Sequence, residues 1–345
     1  MEYNDYFDEL DNLPKIKNMP EERPAKLRRR KQKKGKTAAN LEMYASLEEQ
    51  KDNVEEYSFS YDASRHERQW IIDSLGVFYE MQWFADILRL VKGGKEASVY
   101  QCLAAVDSPT DGKFVAAKVY RPRRFRNLRN DHIYREGREE LNDSGTPIVR
   151  EKMIKAINQR STFGREVMHT SWLEHEFKTM QILHGAGVDI PKPYASGPNA
   201  ILMDFVGNAD LAAPTLNQVD LDPTEAQQLF QRVIHNVEIM LKHERVHADL
   251  SAYNILYWEG EIKLIDFPQA ISPHENQSAY LIFRRDLKRI CEYFSRQGVL
   301  ADSEKLSKSL WEENNFRQIP KFSLGVLDEE DEQDRAYWEN LKDKI

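Results

Sequence analysis

The sequence predicts an α+β protein of two lobes, a β-rich N-terminal half followed by a helical C-terminal half. Short β-branched and aromatic runs separated by glycine turns crowd residues 87–120, whereas apolar residues at helical spacing dominate from about residue 224. With 345 residues, the chain is long enough for one two-lobed domain carrying charged ends.

Residues 1–62 are polar and charge-segregated, with few periodic apolar positions, so a mobile charged extension is expected there. The first lobe is expected over 63–205. Within it, Trp70, Ile71, Ser74, Leu75 and Phe78 share helical spacing and predict a short amphipathic helix over 67–79. Runs 87–91, 97–103 and 114–120 read as three successive strands, joined by Gly93-Gly94 and by a turn region at 107–112. A long polar segment, 121–164, is expected as a flexible loop. Val167, Trp172, Phe177, Met180 and Leu183 then predict a helix over 166–185 that stops at a glycine. Tyr194 and the run 200–207 supply two more strand-like pieces. In the second lobe, expected over 206–327, segments 224–243 and 279–296 are helical. Between them, apolar runs 255–258 and 262–265 flank Glu259-Gly260-Glu261 and predict a hairpin. Residues 328–345 form an acidic tail, opened by Asp328-Glu329-Glu330-Asp331-Glu332.

The net charge of −8 is unevenly distributed: the run from Arg23 to Lys36 holds nine cations in fourteen positions, and Arg121, Arg123, Arg124, Arg126 and Arg129 form a second basic segment. Both are either solvated charge or contacts to RNA phosphates. Aromatic residues are scarce between the cations, so binding would be electrostatic and salt-sensitive. No run of about eighteen apolar residues is present and Met1 to Asp5 is acidic, which argues against a membrane span or a secretory signal. Cys102 and Cys291 lie far apart, match no metal spacing and are expected as buried thiols of a cytoplasmic protein.

The chemistry concentrates in His247-Ala248-Asp249-Leu250-Ser251-Ala252-Tyr253-Asn254 and Leu264-Ile265-Asp266-Phe267-Pro268-Gln269. An Asp, an Asn five positions later and an Asp twelve beyond that are the polar parts of a Mg-ATP phosphotransferase. One carboxylate orients the acceptor, while the amide and the second carboxylate hold metal on the phosphates. The predicted hairpin would bring Asn254 at its entrance and Asp266 at its exit to one edge. Upstream, Lys92-Gly93-Gly94-Lys95-Glu96-Ala97-Ser98-Val99-Tyr100 joins two strands. Its glycines would let backbone N–H groups approach phosphates and Lys95 adds charge, making Gly93, Gly94, Lys95, Ser98 and Val99 candidate nucleotide contacts. The turn is neither a P-loop nor a full glycine-rich loop, and an ordinary Gly-Gly hairpin is the alternative. Lys118 lies inside an apolar strand, and alternation alone leaves it facing either inward or solvent. Inward, it needs an acidic partner. Glu176 is the favoured candidate and Glu174 the competing one. His247 is assigned hydrogen bonding only.

Taken together, Gly94-Lys95-Glu96-Ala97-Ser98-Val99-Tyr100, Ala117-Lys118-Val119-Tyr120, 172–177, His247-Ala248-Asp249-Leu250-Ser251 and Ile265-Asp266-Phe267-Pro268-Gln269 resemble the RIO family of atypical serine/threonine protein kinases, and more closely its RIO1-like branch. The resemblance covers roughly residues 68–300. Its most specific element is Asp-Phe-Pro-Gln where ordinary kinases carry Asp-Phe-Gly. It implies a reduced protein-kinase fold with an extra N-terminal helix, a flexible loop at 121–164 and no activation segment; no Ala-Pro-Glu follows Asp266. It further implies ATP and Mg2+ as cofactors, with Mn2+ as a substitute. Asp249 would be the catalytic acid/base, Asn254 and Asp266 the metal ligands, Lys118 the phosphate-binding lysine and Glu176 its partner. Asp266 would double as phospho-acceptor during ATP hydrolysis. Met203, Asp204 and Val206 would line the adenine site through a hinge strand. Archaeal and eukaryotic relatives act in small ribosomal subunit maturation, which makes a ribosomal particle an expected partner of the basic segments. The basic-then-acidic N-terminus and the long Arg-rich loop depart from those relatives and point toward bacterial members.

Two other readings follow from the same residues. Small-molecule phosphotransferases similar to aminoglycoside or choline kinases share the His-x-Asp-x-x-x-x-Asn pattern, although Pro268-Gln269 and the short remainder of the chain speak against them. An RNA- or ribosome-binding scaffold switched by ATP would rest on the basic N-terminus instead.

Overall fold

The computed structural model describes residues 58–94, 97–120, 141, 146, 148 and 162–316. The expected extension over 1–62, apart from its last residues, most of the 121–164 segment and the 328–345 tail lie outside the described residues, as does Lys95.

The chain enters through helix α1 (Arg65–Glu80), whose Ser64 N-cap accepts from the Glu67 N–H. Strands β1 (Phe84–Gly93), β2 (Ala97–Ala104) and β3 (Phe114–Tyr120) follow, then helix α2 (Thr162–Gly185) and strands β4 (Pro193–Ser196) and β5 (Ala200–Asp204). The five strands form one antiparallel sheet in the order β1-β2-β3-β5-β4. Alternation along β3 sorts its residues between two cores. Val115, Ala117 and Val119 join Ile71, Leu75 and Phe78 of α1, while Ala116 and Tyr120 join Leu173, Phe177 and Met180 of α2 and the C-terminal lobe. Each fully buried α1 side chain contributes about 1.5–3 kcal/mol of burial. With both faces covered, Lys118 has no solvent-facing side: its position between Ala117 and Val119 turns it to the α2 face.

The strand expected over 200–207 ends at Asp204 because the chain must turn at Gly207. That residue has φ +134°, and an added Cβ would fall 2.3 Å from the Leu211 carbonyl oxygen. Helix α3 (Pro223–Lys242) opens the C-terminal lobe with Asp222 capping the Thr224 and Glu225 N–H groups and Pro223 at the first helical position. The predicted hairpin forms as β6 (Ile255–Trp258) and β7 (Glu261–Leu264). Helix α4 (Ala279–Arg296) spans the predicted residues. A final helix, α5 (Ser303–Glu313), was not among the sequence expectations. Its Asp302 cap and the Leu310–Trp311 pair are legible signals, but a polar run of eleven residues has little periodicity to display. Cys102 and Cys291 are buried free thiols. Among the described residues, no helix is long and apolar enough to cross a membrane.

Candidate active site

Helix α2 buries Leu173, Phe177 and Met180 against the sheet, and the same turn carries Glu176 inward to 1% exposure. There Lys118 Nζ meets Glu176 Oε1 at 2.7 Å and Asp266 Oδ1 at 2.6 Å. Tyr120, one strand repeat beyond Lys118, donates its hydroxyl to the second Glu176 oxygen at 2.5 Å and packs edge-on against Trp172. Burial opposes the Lys118 charge, but the carboxylates of Asp266 and Glu176 outweigh it and hold the ammonium's pKa well above the ordinary lysine value. Burial likewise works against the Asp266 carboxylate, and Lys118 overcomes it, leaving the pKa below the usual value. Burial, reinforced by Glu176, drives the Tyr120 hydroxyl far upward, so it stays a donor. Asp266 itself remains 42% exposed at its side chain.

The loop carrying Asp249 is fixed from behind. Val246 and Ile271 exchange backbone hydrogen bonds at 2.9 Å. His247 Nδ1 accepts from the Asp249 N–H at 3.3 Å while Nε2 lies 3.1 Å from the Ile265 carbonyl, an arrangement met by the neutral ring protonated on Nε2. His247 thus ties the loop to the strand that delivers Asp266. The Ile265 N–H donates to the Asn254 carbonyl at 3.0 Å, so the two ends of the hairpin are pinned together. Ala248 and Asp266 both sit at positive φ, +68° and +73°. For alanine this costs on the order of 1 kcal/mol, offset here by Arg285, which donates to the Ala248 carbonyl at 2.6 Å.

Asn254 Nδ2 donates to the Asp249 carbonyl at 2.8 Å and to its carboxylate Oδ2 at 3.1 Å. An amide whose NH2 faces Asp249 turns its oxygen the other way. Arg289 Nη1 reaches the remaining Asp249 oxygen, Oδ1, at 3.1 Å. Beneath the loop, Asp286 is buried; burial raises its pKa, against the pull of Arg285 and the Leu250 N–H.

The predicted glycine turn lies between β1 and β2. Gly93 pairs with Ser98 and Lys92 with Val99, and an added Cβ on Gly94 would lie 2.9 Å from the Ala97 carbonyl oxygen, so this close approach requires glycine. Val99 stands opposite Lys118 in the sheet. On β5, Met203 pairs with Ala116, and the Asp204 carboxylate takes hydrogen bonds from the Tyr194 hydroxyl and the Lys192 N–H. The Asp204 N–H donates to the Lys192 carbonyl and the Val206 carbonyl accepts from Ala213.

The structure therefore brings Lys118, Glu176 and Asp266 into direct contact, and Asp249 onto Asn254, with the hairpin joining the two sets. Glu174, the competing partner, is buried elsewhere on α2. Tyr120, Arg285, Asp286 and Arg289 were missed. Tyr120 was legible, since period two places it on the Lys118 face. Arg285 and Arg289 show their four-residue spacing, but nothing in the sequence says that this helix face meets the Asp249 loop. Among the described residues, no three His, Cys, Asp or Glu side chains converge as a metal cage.

Residues 98–306 match the RIO domain. The chain is 30% identical over 222 residues to the RIO-type serine/threonine-protein kinase Rio1 of Haloferax volcanii, covering 63% of this chain and 66% of the relative. It is 28% identical over 267 residues to serine/threonine-protein kinase rio1 of Schizosaccharomyces pombe, 74% of this chain and 48% of the relative. To the human serine/threonine-protein kinase RIO1 it is 28% identical over 221 residues, 62% of this chain and 34% of the relative. The matches thus span between 34% and 66% of these relatives' lengths. With the match to the RIO domain extending over more than half of its residues and reaching from β2 into α5, the chain belongs to the RIO family.

Proposed function

We propose that this chain is an ATP-dependent, RIO-type serine/threonine protein kinase, with ATPase activity at the same site. The observation that carries this is a charged Lys118–Asp266 pair joined, through the Ile265–Asn254 hydrogen bond at the ends of the hairpin, to an Asp249 whose carboxylate is held at both oxygens. Lys118, anchored by Glu176, would move from Asp266 onto the α- and β-phosphates when nucleotide enters. Asp249 would accept a hydrogen bond from the acceptor hydroxyl and take its proton as the γ-phosphoryl group transfers and ADP leaves. In hydrolysis without a protein acceptor, an Asp266 oxygen would take the phosphoryl group and release it to water. The Asp204 carbonyl and the Val206 N–H, the partners of groups already committed within the fold, would face adenine.

The donor set fits Mg2+: one exposed carboxylate, Asp266, and one amide oxygen, that of Asn254, match an ion usually held by one or two protein ligands plus phosphate oxygens. When bound, the metal would neutralise phosphate charge; Mn2+ would serve in its place.

Asp249→Ala is expected to lower autophosphorylation and ATP turnover on the order of 10²-fold or more with an unchanged melting temperature, because positioning supplies most of the rate. Full activity in that variant would overturn the proposal, and transfer to amine-alcohol acceptors but not to protein would favour a small-molecule phosphotransferase. The run from Arg23 to Lys36 supports a second role for the chain, contact with RNA phosphates such as those of a ribosomal particle.

A further inference from the structure

The loop between Asp249 and Asn254 consists of Leu250, Ser251, Ala252 and Tyr253, and carries no cation of its own. The positive charge at its catalytic-type carboxylate comes from another element. Arg285 and Arg289 lie one turn apart on α4; Arg285 binds the Ala248 carbonyl at 2.6 Å, and Arg289 binds Asp249 Oδ1 at 3.1 Å. Successive loop residues are therefore gripped from a single helix face. The two Asp249 oxygens have different holders, since Asn254 Nδ2 occupies Oδ2. Asn254 alone leaves the carboxylate a torsional freedom about its Cβ–Cγ bond that a second donor removes. Arg285 is also paired with the buried Asp286 at 3.2 Å, so of the two arginines it is Arg289 that meets the Asp249 carboxylate. At the ion pair, Asp249 is 43% and Arg289 34% exposed, so the contact sits at the rim where an acceptor hydroxyl would approach.

We propose that Arg289 is a positioning residue for phosphoryl transfer, clamping Asp249 Oδ1 from α4 so that the carboxylate meets the acceptor hydroxyl in one orientation. This rests on the reading of Asp249 as the orienting carboxylate. Arg289→Ala should lower kcat by about 10- to 100-fold while the KM for ATP stays within about twofold, since a misplaced catalytic group costs turnover rather than nucleotide binding. Arg289→Lys, which retains a point charge without the planar fork, should recover part of the loss. In an Asp249→Asn background, measured by single-turnover ATP consumption, Arg289→Ala should add nothing further, because the residue acts through the carboxylate.

An unchanged kcat in Arg289→Ala, with Asp249→Ala inactive, would overturn this inference and leave the proposed function standing. So would a loss repeated in full in the Asp249→Asn background, which would mean that Arg289 works independently of Asp249. A loss that tracks a fall in melting temperature and is not restored by lysine would reduce Arg289 to a structural residue. Full activity in Asp249→Asn would remove both this inference and the reading beneath it.

Discussion

Lys118 shows how far a single residue can be read. Its strand was predicted at the observed bounds, and its need for a carboxylate follows from burial alone. Its direction does not, because in Phe114–Tyr120 both alternating sets are apolar. Only the packing of α1 on one face sends the lysine to the other. The same logic exposes Tyr120 as the residue that completes the pair. Its hydroxyl satisfies the second oxygen of Glu176, which is buried. Tyr120→Phe should therefore cost about 1.5–3 kcal/mol, the worth of a hydrogen bond to a charged group. Denaturant titration measures that loss, and a raised KM for ATP should accompany it as Glu176 releases Lys118. Unaltered stability would mean that water replaces the phenol.

At the scale of elements, the link after α2 fastens that helix to the C-terminal lobe. Asp189, just past the helix end, binds the Arg232 guanidinium with both oxygens, one contact at 2.7 Å, and exchanges hydrogen bonds with Asn236 at 2.8 Å; its carbonyl accepts from Leu264 at 2.7 Å. One residue thus ties α2 to α3 and to the strand leading to Asp266. Burial raises the Asp189 pKa, but the hydrogen bonds from Arg232 and Asn236 outweigh it and the group ends below the usual carboxylate value. A depressed folded pKa stabilises the protein above the unfolded value of about 3.9 and loses that contribution as pH falls through the folded value. Asp189→Asn should accordingly be less stable than wild type at pH 6, with the gap closing toward pH 3. Urea midpoints across that range test it, and a gap independent of pH would assign the effect to packing. In the sequence Asp189 looks like an ordinary turn residue. Its partners lie more than forty positions away.

For the whole molecule, a β-rich first half and a helical second half were legible because strand-like runs crowd residues 87–120 and helical spacing dominates after residue 224. The strongest charge feature lies outside the described residues, in the run from Arg23 to Lys36. Its proposed contact with polyanions makes a prediction at this scale. Removing residues 1–57 should weaken binding to a single-stranded RNA homopolymer and flatten its salt dependence, while ATP affinity stays unchanged. Equal RNA binding in filter or anisotropy assays would assign the charge to solvation.

The sequence by itself determined the fold class, nearly every element and the residue types of the candidate site, since periodicity, caps and the spacing of Asp249, Asn254 and Asp266 are local quantities. Tertiary structure decided which carboxylate takes Lys118, that Tyr120 completes that pair, and that α4 supplies the arginines behind the Asp249 loop. Those are contacts between elements distant in sequence, and a side chain's partner across such a distance depends on which faces the packed lobes turn toward each other.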